Sequence, residues 1–270
     1  MGDAIAIEVV ADWQGLGEPL RMGTLSAQVA RNRETYRFSY DEAWLGAAPA
    51  RQLDPRLLLV SGPQYPPPKH TTFGVFLDSC PDRWGRVLLQ RREAARARRE
   101  GRRPRRLREW DYLLGVFDGH RVGGLRFRGD PEGPFVDDDA AQASPPWTKL
   151  GELEALSLSL EREGVEDDPE YLRWLTMLLA PGRSLGGARP KASVVGEDGQ
   201  LWIAKFPSRD DVEDQGAWEM VAQELAERAG VTVAPARCER FGGPHHTFLT
   251  RRFDRRGSER LHMASAMTHL

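Results

Sequence analysis

Cysteine is scarce in this sequence, and the signals of a membrane or secreted protein are missing. The 270 residues contain two cysteines, Cys80 and Cys238, too few for a disulfide framework or a four-cysteine metal site. Neither has a histidine nearby in the sequence, so we expect packed thiols rather than nucleophiles. No run reaches the ~18–20 apolar residues of a membrane span. Residues 1–8 lack the positive charge and long apolar stretch of a signal peptide. A cytoplasmic protein without membrane contact is expected.

Lysine is also rare, so each lysine is a candidate for a specific role. Basic residues number 38 against 40 acidic ones, and the net charge of -2 excludes a uniformly basic nucleic-acid coat. Only four of the basic residues are lysines: Lys69, Lys149, Lys191 and Lys205. Where arginine supplies most positive charge, a lysine is more often present for its compact, mobile ammonium group. Two of the four, Lys191 and Lys205, lie close together in the sequence.

The pattern of apolar residues predicts an α+β fold whose first half contains a small antiparallel sheet. The predicted strands are Ala4–Ala11, Met22–Val29, Tyr36–Tyr40 and Gly123–Phe127. Consecutive prolines make residues 62–68 a loop. A helix is predicted from Asp82 into an arginine-rich stretch, and another over Arg108–Phe117. Residues 129–147 combine turn formers with a run of aspartates, so we predict domains at 1–128 and 148–270 joined by this linker.

The second half shows an ordered pattern: a glycine-rich loop, two strands, a helix and two more strands. The strands are predicted at Ala192–Val195, Leu201–Phe206, Arg237–Phe241 and Thr247–Arg252. The helix is predicted at Val212–Ala229 and ends at Gly230, where a left-handed residue is favoured. Its apolar residues are expected to pack on the sheet; they are Trp218, Val221, Ala222 and Leu225.

Three features of this half could carry chemistry. The loop at residues 184–191 has adjacent glycines, Gly186 and Gly187, whose backbone could approach a phosphate, although Ala188 stands where a Walker A loop needs lysine. Alone, this loop is more often a simple turn. Lys205 lies in an apolar strand, where its ammonium needs a partner or snorkels to water. Glu219 is the candidate partner, with Glu224 competing.

Taken together, these residues resemble the HipA family of serine/threonine kinase toxins of type II toxin–antitoxin systems. The resemblance rests on residues 184–191 (SLGGARPK), 202–207 (WIAKFP), Glu219 and 251–255 (RRFDR). The first half adds 36–45 (YRFSYDEAWL), 76–85 (FLDSCPDRWG) and 123–127 (GGLRF). The resemblance covers essentially the whole chain, and the motifs occur in the same order as in the family. It implies a HipA-like N-terminal domain followed by a kinase-like N-lobe.

The resemblance implies a role for each of these positions. Gly186, Gly187 and Ala188 would lie over the phosphates of ATP, Lys205 would contact them, and Glu219 would orient Lys205. The backbone from Arg251 to Phe253 would form the hinge that reads adenine. Ser184 would be the regulatory phosphosite, because an added charge of about −1.5 to −2 beside bound phosphates disfavours nucleotide binding. ATP and Mg²⁺ are the implied cofactors, and the protein substrate is not identified.

The family's catalytic aspartate and its metal-binding asparagine and aspartate have no counterparts in this sequence. The segment Asp118-Gly119-His120 echoes the catalytic motif but precedes the nucleotide loop, and Asp254 belongs to the hinge motif. No catalytic or metal-binding residue is therefore assigned, and the chain alone is expected to be inactive and to bind ATP weakly or not at all. Two explanations stay open, a truncated kinase toxin or a short family member with another task. We favour truncation, because we expect residues 261–270 to have no packing partner.

The arginine-rich stretch suggests a second function of a different class. Twelve arginines crowd residues 83–109, diluted only by Glu93, Glu100 and Glu109. They form either a solvated helix face or an electrostatic footprint for DNA phosphates or an acidic partner. Family members bind a HipB-like antitoxin and reach DNA through that complex. The alternative prediction is therefore a non-catalytic module that binds antitoxin and acts as a co-repressor. A metal site at His245 and His246 is not expected, because adjacent side chains cannot easily share a metal.

Overall fold

The computed structural model describes residues 4–30, 33–47, 50–137, 144–179 and 189–270. The loop residues Ser184, Gly186, Gly187 and Ala188 lie outside these ranges. The chain forms two compact units: unit 1 is Met1–Pro81, Leu107–Asp139 and Ser258–Leu270, and unit 2 is Asp82–Arg106 and Ala140–Gly257. Unit 2 thus includes a segment that precedes the predicted linker at 129–147. The fold is mixed, with helices and antiparallel sheets, as an α+β class requires.

Unit 1 is built on a five-stranded antiparallel sheet. Its strands are β1 (Ile5–Ala11), β2 (Leu20–Ala30), β3 (Arg33–Tyr40), β4 (Pro63–Gln64) and β5 (Leu125–Arg128), in the order β4-β3-β2-β1-β5. In β3, the period-two pattern predicted from the sequence buries Tyr36, Phe38 and Tyr40 on one face. The loop predicted at 62–68 is interrupted, because Pro63 and Gln64 pair with β3 at the edge of the sheet, where proline is tolerated.

The helices of unit 1 cover the apolar face of this sheet. They are α1 (Glu42–Leu45), α2 (Gly74–Leu77), α4 (Glu109–Leu114) and α8 (Ala266–His269). A 3₁₀ turn at Asp118–His120 and a short strand, β11 (Glu259–Arg260), also belong to this unit. Trp44, Phe76 and Phe127 are almost fully buried in the core between the two layers. Burial of such aromatic side chains supplies much of the hydrophobic stabilisation of a unit of this size.

The prediction that residues 261–270 have no packing partner is wrong. Thr268 is 2% exposed, and both its hydroxyl and the backbone N–H of Ser265 donate to Asp78, at 2.7 Å each. The ring of His262 lies 4.9 Å from that of Trp13. Gly74 leaves the room that Thr268 occupies, since a Cβ at this position would come within 2.6 Å of its hydroxyl. The segment is therefore an integral part of unit 1.

In its described residues, unit 2 joins a four-stranded antiparallel sheet to four helices. The helices are α3 (Arg83–Arg99), α5 (Leu150–Ser159), α6 (Tyr171–Leu179) and α7 (Gln215–Arg228), with 3₁₀ turns at Trp147–Lys149 and Val165–Asp167. The strands are β6 (Lys191–Val195), β7 (Leu201–Lys205), β8 (Ala236–Glu239) and β9 (Thr247–Arg251), in the order β6-β7-β9-β8; β10 (Arg255–Arg256) follows. The predicted order of two strands, a helix and two strands is observed, and Gly230 takes the left-handed conformation with φ 79°.

The apolar residues of α7 do not pack as the sequence predicted. Trp218 and Leu225 are each 60% exposed and Val221 is 44% exposed, and Ala222 is exposed as well. The buried residue of this helix is Gly216. α7 contacts β8 and β9 through the region of that glycine rather than through its apolar stripe. No helix in the described part of the chain is long and apolar enough to cross a membrane.

Candidate functional site

Lys205 and Glu219 form an ion pair at the end of an inner strand of unit 2. The ammonium nitrogen of Lys205 lies 2.6 Å from Oε2 of Glu219, and the side chains are 30% and 36% exposed. The ammonium also lies 5.3 Å from the centre of the Phe248 ring, which is its neighbour across the ladder on β9. Glu224, the competing candidate, is exposed on the same helix. An ammonium group that is held in place by a carboxylate yet reachable from solvent can donate charge-assisted hydrogen bonds to an anion.

Glycine at position 216 sets the distance between α7 and the sheet. A Cβ on Gly216 would lie 2.1 Å from the carbonyl oxygen of His246, so no other residue allows the same approach. Asp214 begins the helix by accepting from the backbone N–H of Ala217, and it also accepts from the backbone N–H of His246 at 3.0 Å. Because these contacts fix the start of α7 against the sheet, Glu219, one turn after Gly216, lies near the end of β7.

A second lysine pair lies beside the first and was missed by sequence reasoning. Lys191 is 1% exposed, and its ammonium lies 2.7 Å from Oδ2 of Asp82. In the ladder between β6 and β7, Lys191 stands directly opposite Lys205. Burial lowers the pKa of Lys191, and burial raises the pKa of Asp82, so each group depends on the other to keep its charge. The rarity of lysine in the sequence draws attention to Lys191, but nothing in the sequence identifies Asp82 as its partner.

The segment that follows β9 is fixed by a buried network of charges. The carboxylate of Asp254, 3% exposed, accepts two hydrogen bonds from Arg252 at 2.8 and 2.6 Å and one from Arg255 at 2.6 Å. The backbone N–H of Arg252 donates to Leu201 of β7 at 2.9 Å. Arg251 and Phe253, the two predicted hinge residues, are exposed on either side of Arg252. Alternate side chains thus point inward and outward, and the structure holds the backbone of this segment in place.

The described end of the glycine loop is also fixed. Arg189 donates to the carbonyl of Phe206 at 3.0 Å and makes a two-point ion pair with Asp211. The backbone N–H of Phe206 donates to the carbonyl of Pro190 at 2.9 Å. These contacts place the exit of the loop beside the end of β7, where Lys205 lies.

The arginine-rich stretch contains both paired and unpaired side chains. Arg91, Arg98 and Arg102 make contacts within unit 2: Arg91 donates to Leu160, Arg98 binds Asp167, and Arg102 bridges Glu93 and Glu100. At the end of α3 and in the following turn, four arginine side chains are exposed and make no hydrogen bond or ion pair with the described residues: Arg96, Arg99, Arg103 and Arg106. Together they leave a positive surface from the end of α3 into the following turn.

The remaining candidates are occupied by structural contacts. His246 directs its Nδ1 to Asp214 at 2.5 Å. Burial raises the pKa of the Cys238 thiol to about 11, which keeps it protonated at neutral pH. Among the described residues, no group of three or more histidine, cysteine, aspartate or glutamate side chains could hold a metal ion.

Fold and site define an α+β protein of two compact units, one of which carries paired lysine and carboxylate side chains at the end of a sheet. Comparison with family models adds two matches: the HipA N-terminal domain over residues 20–107 and the HipA-like C-terminal domain over residues 183–270. No curated protein matches the chain. The chain belongs to the HipA family, and the two matches support a HipA-like toxin of a toxin–antitoxin system.

Proposed function

We propose that unit 2 binds ATP as the kinase-like N-lobe of a HipA-family serine/threonine kinase toxin. The observation that carries this proposal is the Lys205–Glu219 pair on an inner strand, 2.6 Å apart and partly open to solvent. In kinases, a strand lysine held by a helix glutamate contacts the nucleotide α- and β-phosphates. The exit of the glycine loop beside Lys205 supports the same assignment.

The other residues take the roles that this site requires. Gly186, Gly187 and Ala188 would cover the phosphates with backbone N–H groups. The backbone of Arg251 and Phe253, held by the Asp254 network, would contact adenine. Ser184, two residues before Gly186, is proposed as the regulatory phosphosite, because a phosphate there would compete with those of the nucleotide.

The proposal does not include phosphoryl transfer by these residues alone. In the family, Mg²⁺ neutralises charge on the phosphates, and a catalytic aspartate positions the acceptor hydroxyl. The two aspartates that echo family motifs, Asp118 and Asp254, are both buried in arginine ion pairs. The described residues therefore fit the phosphates of a nucleotide but do not fit a metal ion. We expect weak ATP binding and no kinase activity from the 270-residue chain.

Replacing Glu219 with glutamine tests the lysine–glutamate pair. The variant keeps a hydrogen-bond acceptor but loses the charge that orients Lys205, so the dissociation constant for ATP is expected to rise about tenfold, equivalent to about 1.4 kcal/mol. Titrations followed by protein NMR measure dissociation constants in the millimolar as well as the micromolar range. Glu224→Gln, on the same helix without a lysine partner, is the matched control. Equal ATP affinities for both variants would contradict the assignment.

The exposed arginines favour a second function, binding of a HipB-like antitoxin and, through that complex, of operator DNA. We propose that the contact surface consists of four exposed arginines at the end of α3 and in the turn after it, which have no partner among the described residues; they are Arg96, Arg99, Arg103 and Arg106. Arg98 and Arg102 are excluded because both already pair with carboxylates in unit 2. This role requires no catalysis.

Neutralising Arg99 and Arg103 to serine is expected to weaken antitoxin binding at least tenfold and to reduce its dependence on salt, because fewer charges are then paired across the interface. Surface plasmon resonance at several salt concentrations measures both effects. Arg173→Ser with Arg209→Ser removes the same charge from other exposed sites of unit 2 and serves as control. If the two double variants weaken binding to the same extent, the effect is one of net charge and the surface assignment fails.

A further inference from the structure

Glu93, in the second half of α3, accepts hydrogen bonds from the chain segment that follows the helix. Its side chain is 12% exposed, and its two carboxylate oxygens accept from the guanidinium of Arg102 at 2.6 and 3.3 Å. Oε1 also accepts from the backbone N–H of Arg105 at 2.9 Å. The bonds from Arg102 and Arg105 lower the pKa of Glu93 to about 2, so its carboxylate is charged at neutral pH.

The end of α3 turns the chain back toward this carboxylate. Gly101 has a φ of 64°, in the left-handed region that favours glycine. The next N–H, that of Arg102, donates to the carbonyl of Ala97 at 3.0 Å, as in the Schellman motif that ends many helices. The backbone of Arg105 then reaches Glu93, which lies about two turns before the end of the helix. The segment after Gly101 therefore runs back along the side of α3.

This return brings the arginines that follow the helix beside those on it. Arg96 is three positions after Glu93, and Arg99 is three positions further, so the three residues are neighbours along one side of α3. Arg103 and Arg106 lie in the returning segment, on either side of the backbone N–H that Glu93 binds. All four arginines are exposed and have no partner among the described residues, and we refer to them as the arginine surface. Repulsion between like charges opposes this arrangement, so a contact is needed to hold it.

We infer that Glu93 is a positioning residue of the arginine surface. It holds the segment 102–106 against α3, so that the two arginines of this segment and the two at the end of the helix are presented together to an acidic partner. The carboxylate itself is occupied by Arg102 and Arg105 and does not bind the partner. This inference rests on the proposed binding of a HipB-like antitoxin and adds to it the residue that shapes the contact surface.

Replacing Glu93 with alanine separates positioning from net charge, because the two effects have opposite signs. The variant loses one negative charge, which by itself favours an acidic partner, and alanine preserves the helix. We expect the dissociation constant for a purified HipB-like antitoxin, measured by surface plasmon resonance, to rise about fivefold, because the released segment must be ordered on binding. The salt dependence should stay as steep as that of the unmodified protein, because the arginine surface keeps all its charges.

The matched control for net charge is Glu197→Ala, in the exposed turn between β6 and β7. It removes the same charge from unit 2 and should leave the affinity within about twofold of that of the unmodified protein. An equal loss of affinity in Glu197→Ala and Glu93→Ala would contradict the positioning role.

The double variant Glu93→Ala with Arg102→Ala restores the net charge of the unmodified protein. If Glu93 acts by holding the segment, the double variant weakens antitoxin binding about fivefold, no more than Glu93→Ala alone, because both substitutions break the same contact. If only charge matters, Glu93→Ala strengthens binding, Arg102→Ala weakens it, and the double variant binds like the unmodified protein. That second pattern would overturn the inference.

Amide exchange followed by NMR tests the holding contact without any antitoxin. The N–H of Arg105 should exchange about tenfold faster in Glu93→Ala than in the unmodified protein, because it loses its acceptor. The N–H of Arg102, which is bonded to Ala97, serves as the internal reference and should keep its rate. Unchanged exchange of Arg105 would show that Glu93 does not hold the segment.

The proposed function and the inference fail in different ways. If Arg99→Ser with Arg103→Ser leaves antitoxin binding unchanged, the arginine surface is not the contact and both are wrong. If that double variant weakens binding but Glu93→Ala does not, the positioning role alone is wrong and the surface assignment stands.

Discussion

Replacing Asp254 with alanine is expected to lower the free energy of unfolding of unit 2 by about 3–5 kcal/mol. The substitution removes one partner from a buried ion pair and leaves the Arg252 guanidinium, 2% exposed, without its carboxylate. Arg255, whose side chain is 6% exposed, loses the same partner. Two buried positive charges would then face each other in the segment that follows β9.

Urea denaturation measures this loss, and hydrogen–deuterium exchange of peptides from β7 and β9 assigns it to unit 2. Asp210→Ala, an exposed aspartate of the same unit, is the control and should change the free energy by less than about 0.5 kcal/mol. A similar small change for Asp254→Ala would mean that the network does not hold the hinge segment.

Asp118→Ala is expected to destabilise unit 1 by a comparable amount, about 3–5 kcal/mol. Asp118 is 3% exposed, and its Oδ2 accepts from Arg126 at 2.5 Å and from Arg260 at 3.0 Å. The substitution therefore removes the nearer of two carboxylates that pair with Arg260, the other being Asp12 at 3.7 Å, and so weakens the attachment of the segment 258–270 to unit 1. This structural role explains why an Asp-Gly-His sequence at residues 118–120 need not be catalytic.

The same denaturation and exchange measurements apply, with Asp130→Ala as the exposed control in unit 1. Loss of protection should extend to peptides that contain Thr268, because Arg260 lies in the same terminal segment. Full protection of that segment in a destabilised Asp118→Ala variant would show that the contacts of Thr268 and Ser265 with Asp78 suffice to hold it.

Local patterns in the sequence predict most of the strands and helices. Alternation at Tyr36, Phe38 and Tyr40 predicts β3 because a strand places alternate side chains on one face. The order of elements after residue 190 follows from short apolar runs separated by turn residues, and it brings Lys205 and Glu219 together as the spacing indicates. Both features depend on residues that are near one another in the chain.

The features that the sequence does not predict depend on distant contacts. Asp82 and Lys191 are 109 residues apart, and Asp118 and Arg260 are 142 apart, so no local pattern identifies either pair. The face of α7 was predicted wrongly because amphipathic periodicity marks an apolar stripe without showing what covers it. The close approach of Gly216 to His246 turns that stripe outward.

The arginine-rich stretch illustrates the same limit. Its composition predicts a positive surface, but only the structure separates Arg98 and Arg102, which pair with carboxylates, from Arg99 and Arg103, which are exposed without partners among the described residues. Their positions in the sequence alone would place all four in one surface, because Arg98 and Arg99 are neighbours and so are Arg102 and Arg103.

Affinity labelling with an acyl-phosphate derivative of ATP tests most directly whether Lys205 contacts nucleotide phosphates. The reagent transfers its acyl group to a lysine beside the bound phosphates, and four lysines make the assignment by mass spectrometry direct. We expect acylation of Lys205 that excess ATP suppresses, while Lys69 and Lys149, which are exposed, react independently of ATP. Acylation of Lys205 that ATP leaves unchanged, or ATP-sensitive acylation at another lysine alone, would contradict the assignment of this site.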